Sequence, residues 1–587
     1  MGTQKFRTVL LFSDGTNIFF INMNMKKCVF VLFVTISGLV HSQQIGKWGD
    51  QGDGTFRNPV IASDYSDPDP IRVEDDYFLV SSTFESYPGV TILHSKDLVN
   101  WTTIGAALID LVAADSAYSY ARMNRYNQGV YAPTISYHNN KFYVFVNLYT
   151  DGFYVATADN PAGPWKSGYL KDKYGRKLKV KGWTDPCPFW DEDGKAYLAS
   201  SHPGREYWYS YLFQMSPDGS MLLDADSTHM AQSGIQYKYP DGGTLFSPYH
   251  SSEGNRIFKR NGYYYLQHIE FTNRGHGEGT YILRSKNIYG TLTDGKPGTP
   301  GNIGDYELFA IENVIDRDHL RVPGQGGYVT TPDGRWFWMG QFTRDASCGR
   351  SPVLVPVTWI NDWPVIGVNI KDMKGETAWK LPKPIDGYPI QVPYISDEFK
   401  SNKLAPVWSW NHEPRNDKWS LVERNGWLRL KAFSSVNHSG FFKVGNTVNQ
   451  RHFRSDTTVA TIKLDISKMV DGQKAGLAHF NGGKQYGFIA VEQVGKSRSL
   501  VYEENGKEIH GDILRAKIIY LKSTVLLDDI AHFSCSVDGV NFVEFGNNYK
   551  VQPGNFRGDM VGVFTYNNKQ DKGWVDVDWF HYEIKNR

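Results

Sequence analysis

The chain has 587 residues, with 63 Lys+Arg against 62 Asp+Glu and a formal charge of +1, so charge gives no reason to expect nucleic acid, an anionic membrane surface or a polyanionic substrate as partner. Hydrophobic residues at 41% and charged residues at 21% exclude a disordered chain. The 14% of aromatic residues and 57 glycines lean toward an all-β protein, because aromatics favour strands and glycine favours tight turns. Flat rings also suit the apolar faces of sugars, although a packed core uses the same residues.

At the amino terminus, Met25-Lys26-Lys27 and then Cys28 to Val40 give a basic start and a short apolar run, too short to span a bilayer comfortably. Val40-His41-Ser42 supplies tolerated residues for cleavage. Residues 1–42 therefore read as an upstream extension and a signal peptide, Met25–Ser42, which implies a secreted or periplasmic protein. Cys28 stands at the very start of the apolar run, where a lipobox cysteine would not stand, and no later segment is apolar enough for a membrane span. Three cysteines remain after cleavage, Cys187, Cys348 and Cys535, odd in number and in no metal-ligand spacing, which argues against a disulfide framework and a zinc site. One bridge between two of them stays open.

Residues 43–370 carry a repeat. A hairpin-type turn followed by an aromatic-rich strand occurs five times: Asp75-Asp76 before Tyr77–Val80, Asn139-Asn140-Lys141 before Phe142–Phe145, Asp193-Gly194-Lys195 before Ala196–Leu198, Asn261-Gly262 before Tyr263–Leu266, and Asp333-Gly334-Arg335 before Trp336–Met339. The spacing of roughly 55–72 residues suits a four-stranded propeller blade with long loops. The expected fold is all-β: a five-bladed β-propeller over 43–370, a Lys-, Pro- and Gly-rich linker over 371–395, and a jelly-roll β-sandwich over 396–587.

A propeller works where its inner strands meet the central axis. Three carboxylates stand ahead of inner strands in different repeats: Asp67 before Pro68, Asp185 before Pro186, and Glu253 before Gly254. Singly, an Asp-Pro pair is a turn-maker and a Glu-Gly pair is ordinary surface. In register with the repeat, the three aim at one axis. Glycoside hydrolysis needs such a set: an acid that protonates the departing oxygen, a carboxylate that activates water or attacks the anomeric carbon, and a third negative group that raises the acid's pKa.

These residues resemble glycoside hydrolase family 43, the inverting five-bladed enzymes that include β-xylosidases, α-L-arabinofuranosidases and arabinanases. The resemblance rests on Arg57-Asn58-Pro59-Val60, Asp67-Pro68, Tyr77 to Glu85, Pro88-Gly89-Val90, His94 to Trp101, Tyr131-Ala132-Pro133, Trp183 to Pro186, Glu253-Gly254, Arg284 to Gly290 and Gly349-Arg350 to Trp359, all in the family's order. Asp397-Glu398-Phe399, Trp408 to His412 and Trp419-Ser420-Leu421 are similar to the concanavalin-like domain many such xylosidases carry. The resemblance implies Asp67 as general base, Glu253 as general acid and Asp185 as the residue that tunes and orients the acid. It implies acid and base roughly 6.5–9.5 Å apart. It also implies Phe84, Tyr131, Arg350 and Gln325 as substrate-binding residues.

Where many relatives have a histidine that helps seat a central calcium or water cluster, Gln325 stands in Pro323-Gly324-Gln325-Gly326, with His319 and His276 nearby. No cofactor is expected to be required, and no catalytic metal residue is assigned. A Ca²⁺ ion in the central channel, or a structural one held at Asp576 and Asp578, stays open. The expected activity is exo-acting, inverting release of terminal α-L-arabinofuranose, β-D-xylose or both from plant hemicellulose- or pectin-derived oligosaccharides, with an oligosaccharide or polysaccharide as the expected partner. The alternatives are a non-catalytic carbohydrate-binding propeller, an endo-arabinanase, and a fructan-cleaving relative, whose usual Trp-Met-Asn-Asp-Pro-Asn-Gly opening is absent here. Nothing in the sequence sets the oligomeric state.

Overall fold

A computed structural model describes residues 46–585, apart from 109, 149, 204–207, 231–242, 246–251, 272–277, 312–323, 344–346 and 377–379. Met25–Ser42, His276 and His319 lie outside the described residues.

Five four-stranded antiparallel sheets follow one another along the chain. Their first strands are Asp69–Val73, Val130–His138, Thr184–Trp190, Ser252–Arg260 and Gly326–Thr330. Their second strands are Asp76–Ser81, Lys141–Leu148, Ala196–Pro203, Tyr263–Phe271 and Trp336–Thr343. The five turns picked out in the sequence each join a first strand to its second. Asn139-Asn140 and Asn261-Gly262 hold positive φ at both residues, the conformation a two-residue hairpin turn requires.

Aromatic side chains fill the layers between blades. Phe78, Phe142, Tyr154 and Trp165 pack between blades one and two. Phe145, Phe153, Trp183 and Phe213 pack between two and three. Tyr265, Trp338 and Val355 pack between four and five. Fully burying a large apolar side chain stabilises by about 1.5–3 kcal/mol, so these layers give many of the aromatic residues a packing role. Asn58 seals blade five to the start of the chain: its amide donates to the Leu354 carbonyl and accepts from the Leu354 N–H, both at 2.9 Å.

The expected linker is partly sheet. Lys380–Pro382 pairs with Thr55–Arg57, and Val368–Lys371 forms a hairpin with Lys374–Glu376. Beyond it two large antiparallel sheets stack as a sandwich. One runs from the edge strand Lys507–Ile513 through Gln473–Phe480 and Met560–Asn567 to Ser409–Asn411. Its last member is Ser86–Tyr87, a piece of blade one, with Trp410 opposite Tyr87 and Asn411 opposite Ser86. The other sheet centres on Trp574–Lys585, Thr457–Asp465 and Ile518–Leu526. A single apolar cluster unites the sandwich interior (Leu430, Ile462, Val563, Phe580) with the layer between blades five and one (Tyr77, Trp101, Phe337, Leu354).

Cys187, Cys348 and Cys535 are all free thiols, so the bridge left open by the sequence is not formed. Asp576 and Asp578 do not build an ion site. Asp576 accepts from Arg429 at 2.7 and 3.0 Å and from Arg424 at 3.0 Å, and Asp578 pairs with Lys463 at 2.6 Å. No helix among the described residues is long and apolar enough to cross a membrane.

Candidate active site

The inner strands of blades two, three and four share a local irregularity. The register with the second strand shifts between Tyr131 and Thr134, between Thr184 and Cys187, and between Glu253 and Arg256. Inside the three shifts, Ala132, Asp185 and Gly254 have φ of 38°, 51° and 70°. Ahead of the blade-one strand, Asp67 has φ of 54°. Such bulges bend a strand and re-aim its side chains. Pro68, Pro133 and Pro186 follow three of these positions, where a missing N–H costs no ladder bond. At Asp185 the sequence signal read as a turn is thus a bulge that re-aims a carboxylate, whereas Asp67 takes its positive φ just ahead of a regular strand.

Asp67 is buried and held on both oxygens. Arg350 donates to Oδ1 at 3.0 Å and to Oδ2 at 3.3 Å, and the Ser82 hydroxyl donates to Oδ2 at 2.6 Å. Ser82 in turn accepts the Ala132 N–H at 2.7 Å, and the Asp67 N–H donates to Gln341 Oε1 at 2.9 Å. A bidentate guanidinium fixes the plane of a carboxylate as well as its position.

Asp185 is buried as deeply. It accepts the Gly254 N–H at 2.8 Å, the Thr184 hydroxyl at 3.1 Å and the Gln325 amide at 3.3 Å. Burial pushes its carboxyl up to about 6, the Gly254 bond opposes that, and the Asp67 charge adds to it. Asp67 and Asp185 therefore feel each other across the axis. Glu253 is half-buried at the start of the blade-four strand, and its neighbour Gly254 is the residue bonded to Asp185.

Beneath these groups Arg256 and Asp69 pair at 2.9 Å, both almost fully buried, and Asp69 also accepts the Ile135 N–H at 2.8 Å. The positive charge of Arg256 is felt at Asp185. A hydrated divalent cation wants a cage of oxygens. Here the axis holds a guanidinium, and Gln325 turns an N–H donor toward Asp185, so the described residues do not fit a central calcium.

Aromatic rings stand beside Asp67. Phe84 and Tyr131 meet edge to face at 5.4 Å between centroids. Phe556, carried by the sandwich, stacks on Phe84 at 6.3 Å and meets Tyr131 at 5.8 Å. The Arg350 side chain donates to the Phe556 carbonyl at 3.1 Å. Next to Phe556, Arg557 reaches into the propeller to pair with Glu85 at 2.6 Å, with side chains 3% and 0% exposed. Asn127, whose carbonyl accepts the Tyr131 hydroxyl, also reaches the sandwich at Gly482.

The structure thus brings Asp67, Asp185, Gln325, Arg350, Phe84 and Tyr131 to one end of the axis, with Glu253 beside them. Sequence reading missed Ser82, Gln341, Phe556 and Arg557. Ser82 follows a strand of the repeat and could have been found from its phase; the others carry no local signal.

Residues 56–364 match glycosyl hydrolases family 43, and residues 396–583 match the β-xylosidase C-terminal concanavalin A-like domain. The chain belongs to glycoside hydrolase family 43. It is similar to a β-xylosidase of Formosa agariphila, at 33% identity over 94% of both chains. It is also similar to a non-reducing end α-L-arabinofuranosidase of Bacteroides ovatus, at 28% identity over 90% of this chain and 94% of that one. Among solved structures, a bifunctional GH43-CE protein of Bacteroides eggerthii superposes with a TM-score of 0.72 at 29% identity. The match covers 90% of this chain and 64% of that longer one. The family 43 protein BlXynB of Bacillus licheniformis (K247S variant) gives 0.72 at 25% identity, over 90% of this chain and all of that one. This family 43 chain is accordingly a glycosidase, with the five-bladed propeller and C-terminal sandwich expected of it.

Proposed function

We propose that this enzyme removes terminal α-L-arabinofuranose, β-D-xylose or both from xylan- or arabinan-derived oligosaccharides by inversion, with Asp67 as base, Glu253 as acid and Asp185 as the group that sets the acid. The observation that carries this reading is the environment of Asp67. Its carboxylate is oriented by Arg350 and Ser82 beside a cluster of three rings, one of them supplied by the other domain. A wall added from outside the propeller favours binding of a chain end over the middle of a polymer.

In the reaction, Asp67 takes a proton from a water whose oxygen bonds to the anomeric carbon. The bond to the departing oxygen breaks as Glu253 gives that oxygen a proton, and solvent restores both carboxyls. Asp185 holds the strand end that carries Glu253 through Gly254, and its negative charge disfavours loss of the acid's proton. The scheme routes no step through calcium, because Arg256 already occupies the axis with positive charge.

Glu253→Ala tests the reading. Turnover of nitrophenyl xyloside and arabinofuranoside falls by roughly 10²–10⁴-fold, and the loss is much smaller on a dinitrophenyl glycoside that needs no proton to depart. Equal losses on all leaving groups, or product of retained configuration, sink the assignment. We also propose export through the leader Met25–Ser42. A secreted chain beginning at Gln43 supports this, and a cytosolic chain retaining the leader refutes it.

A further inference from the structure

A second constellation lies in the sandwich, away from the carboxylates. His452 follows the strand Val448–Arg451, His479 stands in Gln473–Phe480, and Asp559 precedes Met560–Asn567. These three strands are neighbours in one sheet, and the His452 N–H donates to the Asp559 carbonyl at 3.0 Å. All three side chains are buried, and one donor atom from each lies within 4.8 Å of the other two.

His479 has an assigned geometry. Its Nε2 contacts the Ser523 hydroxyl of the facing sheet at 2.8 Å, and its Nδ1 faces Asp559 Oδ2 at 2.5 Å. The order Ser523, His479, Asp559 is that of a nucleophile, a base and an orienting acid. Ser523 is, however, fully buried in an inward-facing row with Leu521 and Val525, where no substrate can reach it. The groups left over point elsewhere. Among the described residues neither ring nitrogen of His452 has a hydrogen-bond partner, nor has Asp559 Oδ1. Buried polar atoms without partners are costly and are retained where something binds them. The nearby cations are already paired, Arg454 with Asp529 at 3.0 Å and Arg557 with Glu85.

We propose that His452, His479 and Asp559 form a structural transition-metal site, best suited to Zn²⁺. Two imidazoles and a carboxylate supply three of the four ligands zinc takes, and a water would complete the tetrahedron. Ser523 would accept from His479 Nε2–H and so leave Nδ1 free for the ion, the outer hydrogen bond a metal-binding histidine needs. Tetrahedral ligands sit about 3.3 Å apart, so His479 Nδ1 and Asp559 Oδ2, at 2.5 Å, need to open slightly to admit the ion while the His452 donor, within 4.8 Å of both, closes in. Asp559 is two residues from Arg557 and three from Phe556, so an ion there pins the segment that forms the sandwich side of the sugar site.

The test uses the tag-free full chain, expressed with zinc supplied and dialysed, then measured by elemental mass spectrometry. About one zinc per chain is expected. His452→Gln, which removes no described hydrogen bond, lowers it roughly tenfold or more at unchanged circular dichroism. His510→Ala, which dismantles the exposed Glu492–Glu508–His510 cluster, leaves it unchanged. Wild-type chain refolded with Co²⁺ shows the visible absorption of tetrahedral cobalt, a readout that needs no variant. Absence of metal and of that absorption overturns the proposal, as does zinc that survives His452→Gln and disappears with His510→Ala.

Discussion

The backbone N–H of Gly254 in blade four is bonded to the carboxylate of Asp185 in blade three, at 2.8 Å. Through it the residue beside Glu253 is set by a group from the next blade, whose own proton is held by burial up to about 6. Neighbouring blades thus share one bulge-to-bulge contact, and the position of the glutamate depends on it.

Asp185→Asn follows from this. A carboxyl that folds with its pKa raised from 3.8 to about 6 adds stability in its protonated form, and that contribution is lost as pH rises through 6. Ionised Asp185 therefore costs on the order of 3 kcal/mol well above that range. The Asn variant melts higher than wild type near about pH 8, the gap closes toward about pH 4, and activity falls. Melting curves across this range check it, and a constant gap contradicts it.

Ser82→Ala removes the hydroxyl between Ala132 and Asp67 while Arg350 still holds the carboxylate. A lost bond to a charged group costs about 1.5–3 kcal/mol, so kcat falls roughly tenfold to a hundredfold while KM changes little. Steady-state kinetics with an unsubstituted-sugar substrate decides. A change confined to KM shows that Ser82 contacts sugar instead of orienting Asp67.

Arg557→Ala leaves Glu85 buried without its cation. Breaking a buried pair from one side costs about 3–5 kcal/mol. Burial already pushes the Glu85 carboxyl up, against the pull of Arg557, so the orphaned group takes a proton. The double variant Arg557→Met with Glu85→Gln recovers much of the loss. Chemical denaturation of the three proteins gives the comparison.

Phe556→Ala removes a ring that is 47% exposed, and folding should survive it. What goes is the sandwich side of the aromatic cluster. A drop of roughly tenfold in kcat/KM, carried mainly by KM, is expected on short substrates. An unchanged KM refutes the idea that the second domain touches the sugar.

Much of this was legible from the sequence. The turns before Tyr77, Phe142, Ala196, Tyr263 and Trp336 obey local rules, because a hairpin turn needs residues that tolerate positive φ, and they located every second strand of the propeller. Asp67, Asp185 and Glu253 were visible through their phase with that repeat. The hidden parts depend on contacts between distant segments. Arg557 reaches Ser86 across 471 residues, and no pattern around either announces it. Asp576 and Asp578 look like ion ligands in an acidic run, but the arginines and lysine that neutralise them come from other strands.

The dipeptide Ser86–Tyr87 closes the last strand position of a sheet that otherwise belongs to the carboxy-terminal half. Cutting the gene between the halves would give one product with a bare, adhesive β-edge and another with an unsupported loop. The two halves are therefore expected to be inherited and expressed as one piece, and mixing separately made halves is a poor route to an active enzyme.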